Sequence, residues 1–300
     1  MTLARSRLER ALLAWRGTRG RRRERLAAAL DAVLPARAAD VAFPAEPART
    51  SRIVVATYNV HKCVGTDGRF DPDRIADVVA ELGADVLALQ EADRRLGLRN
   101  GLLDLERLAR TTGLELVPVA MRPLSHGWHG NALFVRGGAV RRIKRVPLPQ
   151  AEPRGAVLAE IDLPAGRLRV VGAHLGLLKR SRRRQTAALL AALERAEPMP
   201  TVMMGDFNEW RPGRPDCPLA ELEPLFGPTR QHHPSFPSRR PIFALDRILG
   251  WPIGAVEAIA VHDTPLARVA SDHLPLKALV DLAVPLPVGT VEADAAARRD

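Results

Sequence analysis

Two cysteines in 300 residues, Cys63 and Cys217, are too few for a disulfide framework, and their separation has no metal-ligand spacing. They are read as free thiols with no part in a mechanism. Aromatic residues are scarce as well, at 4%, with Tyr58 the single tyrosine. That argues against a platform on which the bases of a single strand would stack. No apolar run comes near the roughly 18 residues that a membrane-crossing helix requires. The stretch ALLAW at residues 11–15 is flanked by arginine and is too short for the core of a signal peptide. The chain is therefore expected to be cytoplasmic.

Arginine is what the sequence has in excess. Lysine and arginine number 45 against 34 acids, a net charge of +11. Residues 1–50 hold eleven arginines and five acids, so this short segment carries +6 of the total. Leu8, Leu12 and Trp15, then Leu26, Leu30, Val33 and Leu34, recur at helical spacing among those arginines. Two readings fit residues 1–34: a basic amphipathic helix pair in peripheral contact with an anionic membrane, and a helical arm packed on the main domain. Pro35, Pro44 and Pro47 mark a linker. The expected organisation is a basic helical extension and linker over 1–48, a main domain over 49–283 and a flexible tail over 284–300, in a monomeric chain.

From Arg52 onward the texture changes to short apolar runs: RIVVATYNV, DVLALQE, NALFV, AVLAEIDL, RLRVVGAHL, TVMMGDFN, LDRILG and GAVEAIAV. Runs this continuous suit strands covered on both faces. Between some of them lie helix-like stretches. The first, DPDRIADVVAELG, starts with Asp71 as N-cap and Pro72 at the first helical position, and Gly83 closes it. AVLAEIDLPAGRLRVVGAHL reads as a hairpin turning at residues 164–166, which makes the sheets mixed. The fold class is α/β, with sheet layers covered by helices.

The polar residues at the ends of these runs form a set. Asn59 closes the first strand, and Gln90 and Glu91 close the second. His174, Asp206, Asn208 and Asp246 lie at the ends of others, and SDHLP supplies Asp272 and His273 after the last run. Strand ends in a layered sheet converge on one rim, where ligands bind. Carboxylates gathered there repel one another unless a cation joins them. Glu91, Asp206 and Asp272 with the amides of Asn59 and Asn208 are oxygen ligands, which favours Mg²⁺ or Mn²⁺ over zinc. His174 and His273 are left for proton transfer and charge stabilisation, with Asp246 a natural partner for His273. Such a set suits attack of water on a phosphoester.

N, QE, H, GDFN, DR and SDH in this order resemble the endonuclease/exonuclease/phosphatase superfamily, over about residues 52–280. The group includes deoxyribonuclease I, exonuclease III, the abasic-site endonucleases, bacterial sphingomyelinases and inositol polyphosphate phosphatases. The resemblance implies a four-layer α/β sandwich, two mixed β-sheets face to face with helices outside. It implies Glu91 as main metal ligand with Asn59 and Asp272 beside it, and Asn59 and Asn208 orienting the scissile phosphate. Asp206 would lie by the attacking water or the leaving oxygen. His273, oriented by Asp246, would be general base or phosphate-polarising group. His174 would stabilise the transition state or protonate the leaving group. The implied substrate is a phosphodiester in nucleic acid or phospholipid. The alternatives are an inositol-phosphate-like monoester and a non-catalytic polyanion-binding module.

The chain also departs from those relatives. Deoxyribonuclease-like members pair the central histidine with a glutamate on an intervening strand, and nothing between Glu91 and Asn131 matches it. The abasic-site enzymes have tyrosine in place of His174. The inositol phosphatases have leucine in place of Phe207. Asn131, at the start of a strand, can face the rim and touch phosphate. KRSRRRQ at residues 179–185 opens a helix just past His174. Its Arg182 and Arg183 are either phosphate clamps or part of a solvated helix end. His126, Trp128 and His129 share a glycine-flanked loop.

Overall fold

A computed structural model of the chain describes residues 51–287, apart from 150, 151, 212, 213 and 215. The helices expected in residues 1–34, the linker after them and the end of the tail lie outside the described residues.

Eleven strands are described. β1 (Arg52–Asn59), β2 (Val86–Gln90), β3 (Leu114–Leu116), β4 (Ala132–Arg136), β10 (Val256–Val261) and β11 (Leu276–Asp281) form one sheet in the order β10-β11-β1-β2-β4-β3. β5 (Ala139–Leu148), β6 (Arg154–Leu163), β7 (Gly166–His174), β8 (Thr201–Asp206) and β9 (Asp246–Trp251) form the other in chain order. Each sheet contains one parallel pair, β1 with β2 and β7 with β8, among antiparallel neighbours. A parallel pair needs a crossover, and helices α1 (Pro72–Leu82) and α3 (Lys179–Glu194) supply the two.

The period-2 alternation of strands decides the layering. Ile53 and Val55, Val86 and Ala88, and Leu133 and Val135 turn inward from the first sheet to meet Val157, Val170, Val202, Met204 and Ile248 of the second. The residues between them turn outward. Ala56, Tyr58, Leu87 and Phe134 pack under α1, α2 (Leu105–Thr112) and α5 (Pro265–Ala270). Val171, Met203 and Phe207 pack under α3, a 3-10 turn at Pro218–Leu222 and α4 (Glu223–Phe226). The result is a four-layer α/β sandwich. Asp71 caps α1 by accepting from the Arg74 amide, and Gly83 ends it in the left-handed region at φ 62°.

One detail differs from the sequence reading. SDHLP does not follow the last strand; it leads into β11, which pairs antiparallel with β1. Among the described residues no helix is long and apolar enough to cross a membrane.

Candidate active site

The inward-facing stripes that build the core turn polar at one rim. Ile53, Val55, Thr57 and Asn59 lie on one face of β1, and Val86, Ala88 and Gln90 on one face of β2. On the second sheet Val170 and Gly172 precede His174, Val202 and Met204 precede Asp206, and Asp246 precedes Ile248. Register aligns them: Asn59 is level with Gln90, and Asp206 is level with both His174 and Asp246. The site is thus the polar mouth of the gap between the sheets. Phe207 turns the other way, into the core under α3.

Asp206 is the hub and is fully buried. Its Oδ2 accepts from Asn59 Nδ2 at 2.9 Å, and its Oδ1 accepts from the Asn208 backbone N–H at 2.9 Å. His174 Nε2 lies 3.3 Å from Oδ2 and His273 Nε2 lies 3.8 Å from it. Two imidazoles and two asparagines therefore converge on one carboxylate, with the Asn59–Asp206 bond joining the two sheets.

The two histidines are held in different ways. His273 Nδ1 lies 2.8 Å from Asp246 Oδ2, and Ser235 Oγ donates to the same oxygen. Burial alone would lower the His273 pKa, but the carboxylates of Asp246 and Asp206 outweigh it and raise the value to about 9. His174 Nδ1 instead lies 2.9 Å from Arg154 Nη1. A guanidinium can only donate, so His174 must accept at Nδ1 and carry its proton on Nε2, on the Asp206 side. Burial, and then the Arg154 charge, lower the His174 pKa below the ordinary histidine value and keep the ring neutral. Among the described residues no carboxylate meets His174 Nδ1. Arg154 takes that place; it opens β6, well past residues 91–131, and has the opposite charge. In turn, Glu152 holds Arg154 through Oε2, accepting from Nε at 3.2 Å and Nη2 at 3.0 Å.

Several site residues sit on bent backbone. Glu91 at φ 59° and Asn208 at φ 52° occupy the left-handed region, which costs a non-glycine residue energy and is commonest at functional positions. Asn208 Nδ2 donates to the Leu175 carbonyl at 2.7 Å, while its Oδ1 is buried with no hydrogen-bond partner. His174 Nε2 and Asp246 Oδ1 are also buried without an aligned partner. Buried polar atoms without a protein partner are uncommon and are usually met by water, an ion or a catalytic role. Ser271 Oγ donates to the Asn59 carbonyl at 2.7 Å, which fastens the Asp272–His273 turn to the end of β1. Arg247 is fully buried behind Asp246 and donates to the carbonyls of Ala244, Asp246 and Glu209, so it braces the backbone from the far side.

Glu91 and Asp272 complete the rim. The Glu91 carboxylate accepts from the Lys62 ammonium, and Asp272 Oδ1 lies 3.8 Å from His61 Nδ1. Among the described residues no three His, Cys, Asp or Glu side chains are grouped as a self-sufficient metal cage. Glu91, Asp272 and the Asn59 amide are nonetheless oxygen donors of the type a hard divalent cation takes, one or two carboxylates with water and substrate oxygens completing its shell.

The other expected contacts fall elsewhere. Arg182 is not a phosphate clamp: it is buried and donates to Glu209 Oε2 at 3.0 Å and to the Leu177 carbonyl at 2.6 Å. Arg183 also stays out of the cluster, with Nη2 3.4 Å from the Asp216 carbonyl and Nε 4.0 Å from Glu221. Asn131 is buried and spans the sheets by donating from Nδ2 to the Gly155 carbonyl at 2.9 Å; its Oδ1 is another buried acceptor without a partner. His126 is buried against the backbone of Leu103, and Trp128 packs against the inter-sheet core. His129 lines an open cleft beside Glu91.

Two mixed sheets packed face to face, with Asn, Glu, His and Asp side chains at the mouth between them, place the chain among the double-sheet α/β sandwiches. A sequence profile described as "Endonuclease/Exonuclease/phosphatase family" matches residues 56–273, and the chain belongs to that family. Members are typically phosphoester hydrolases, including nucleases, phosphodiesterases and phosphatases, and they generally depend on a divalent metal. Among solved structures, the chain is similar to an endonuclease/exonuclease/phosphatase from Beutenbergia cavernae (TM-score 0.59, 23% identity, covering 80% of this chain and 73% of that one). It is also similar to the mannosyl-6-phosphatase Bt3783 of Bacteroides thetaiotaomicron (TM-score 0.56, 18% identity, 76% and 99% covered). A third is D. rerio TDP2, complexed with a single-strand DNA product (TM-score 0.54, 15% identity, 76% and 98% covered). Identities this low show a shared fold. A sequence comparison with curated proteins gives no match.

Proposed function

We propose that the protein is a Mg²⁺- or Mn²⁺-dependent phosphodiesterase. The observation that carries this reading is Asp206, a buried carboxylate set between two imidazoles and two asparagines at the open end of the inter-sheet gap. A carboxylate so placed orients an attacking water and takes its proton. His174, with its proton on Nε2, donates to a phosphoryl oxygen or to the leaving oxygen. His273, aimed by Asp246, polarises the phosphate. Asn59 and Asn208 fix its orientation by donating from the Nδ2 hydrogens left over from their bonds to Asp206 and to the Leu175 carbonyl. Glu91, Asp272 and Asn59 would hold the metal, which when bound offsets charge on the phosphoryl oxygens. The diester reading is favoured over a monoester by the cleft that runs on from Glu91 past Arg94, Arg95 and Arg99 to Arg154, which leaves room for a second substituent on phosphorus.

Hydrolysis of bis-p-nitrophenyl phosphate in Mg²⁺ and in Mn²⁺ tests this. EDTA should abolish turnover and either metal should restore it. His174→Ala and Asp206→Ala should each lower kcat by about 10²- to 10⁴-fold, the usual worth of a positioned acid or base. Full activity in EDTA would remove the metal from the reading, and an unimpaired Asp206→Ala enzyme would remove the site.

A further inference from the structure

Half of the large exposed apolar side chains among the described residues lie on two neighbouring loops. Leu96 is 83% exposed and Leu98 69% on the first loop, and Met121 is 70% and Leu124 61% on the second. Residues 94–101 form a narrow projection closed at its base by the Asp93–Gly101 bridge and by the Arg94 N–H donating to the Asn100 carbonyl at 2.9 Å. Residues 120–125 lie against it. The Gly101 amide donates to the Leu124 carbonyl at 2.7 Å, and Arg122 Nη1 donates to the Gly97 carbonyl at 3.0 Å. The buried Asp93 carboxylate ties both bases together, accepting from Ser125 Oγ and from the amides of His126 and Gly127. The apolar tips therefore stand on a fixed base.

Charge on this lip has one sign. Residues 94–101 and 120–125 contain four arginines and no acid. Arg94, Arg95 and Arg99 line the cleft that also contains Glu91 and Arg154, so the lip is continuous with the candidate active site. Leucine and methionine interspersed with arginine at one edge suit an interface in which the apolar tips enter the acyl boundary and the guanidinium groups meet anionic headgroups. Each arginine at such a surface strengthens partitioning by roughly fivefold. Duplex nucleic acid would pair with the arginines but leave four apolar side chains uncovered, and the two loops offer no aromatic ring for a base.

We propose that this two-loop lip docks the protein on an anionic lipid bilayer and sets the catalytic cleft at headgroup level, which makes a phospholipid-type diester its substrate. The substrate half of this proposal rests on the phosphodiesterase reading; the docking half does not. Because Cys63 and Cys217 are buried, Leu98→Cys in the full chain can carry a single environment-sensitive label. Its emission should shift to the blue with vesicles of phosphatidylcholine and phosphatidylglycerol, and much less with phosphatidylcholine alone. Leu98→Asp/Met121→Asp should partition onto the mixed vesicles about tenfold more weakly, from lost apolar burial and added repulsion, while hydrolysis of bis-p-nitrophenyl phosphate stays unchanged. A label that does not respond to vesicles would overturn the proposal. So would a double variant that partitions like the parent, or a shift produced by duplex DNA in place of vesicles. Docking without soluble-diester hydrolysis would sink the phosphodiesterase reading and leave the lip standing; hydrolysis without docking would do the reverse.

Discussion

At the residue scale, the proton on His174 is placed by Arg154, since the guanidinium offers Nδ1 only donors. Removing that charge takes away one of the two causes that keep the ring neutral. Arg154→Ala should therefore raise the His174 pKa, as followed by NMR titration of the imidazole. It should also lower kcat roughly tenfold or more with little change in KM, the pattern of an interaction made in the transition state. An unmoved His174 titration would show that Arg154 only fills space. The acids, amides and histidines of the rim were legible because each falls in the inward phase of an alternating strand. Arg154 was not, because a lone arginine at a strand start has no pattern to distinguish it. The glycine of GDFN has its own reason. Gly205 adopts φ 148°, and a Cβ there would lie 1.8 Å from the Ala173 carbonyl oxygen, so the close approach of β7 and β8 admits no side chain.

At the element scale, α3 shows how a charge run misleads. KRSRRRQ looks like a cationic face beside the site, yet Ser181, Arg182 and Gln185 turn inward and Arg182 becomes half of a buried pair with Glu209. Arg182→Met should destabilise the fold by about 3–5 kcal/mol, because it leaves the Glu209 carboxylate buried and unpaired. Adding Glu209→Met should recover much of that loss, measured by urea unfolding. Equal losses in the single and double variants would show that the guanidinium's bonds to the Gly176 and Leu177 carbonyls matter more than its charge partner. Strand β5 is the converse case. AVRRIKRVPL does not read as a strand because it forms a sheet edge, where solvent-facing arginines and lysine break the apolar run. Helix α1, with its Asp–Pro start and glycine stop, was plain in the sequence.

At the scale of the whole molecule, the two sheets share one interior, so they should unfold together. Met204→Ala removes a fully buried side chain from that interior and should cost about 2–5 kcal/mol. Denaturation should remain a single transition, with amide protection falling in both sheets. Loss confined to β5–β9 would mean that the layers are separately stable. The layering was legible because alternation marks inner and outer faces. The pairing order was less so, because a strand such as β11 joins β1 from more than two hundred residues away.

Asn59 hangs from one layer and Asp206 from the other, and their 2.9 Å bond spans the seam. The chemistry therefore depends on a distance that no single chain segment sets. A displacement of about 1 Å between catalytic groups can cost a hundredfold in rate, so a slight slip of one layer over its neighbour would slow turnover well before it loosened the fold. Volume-conserving substitutions in the interior should thus throttle the proposed hydrolysis while the melting temperature barely moves.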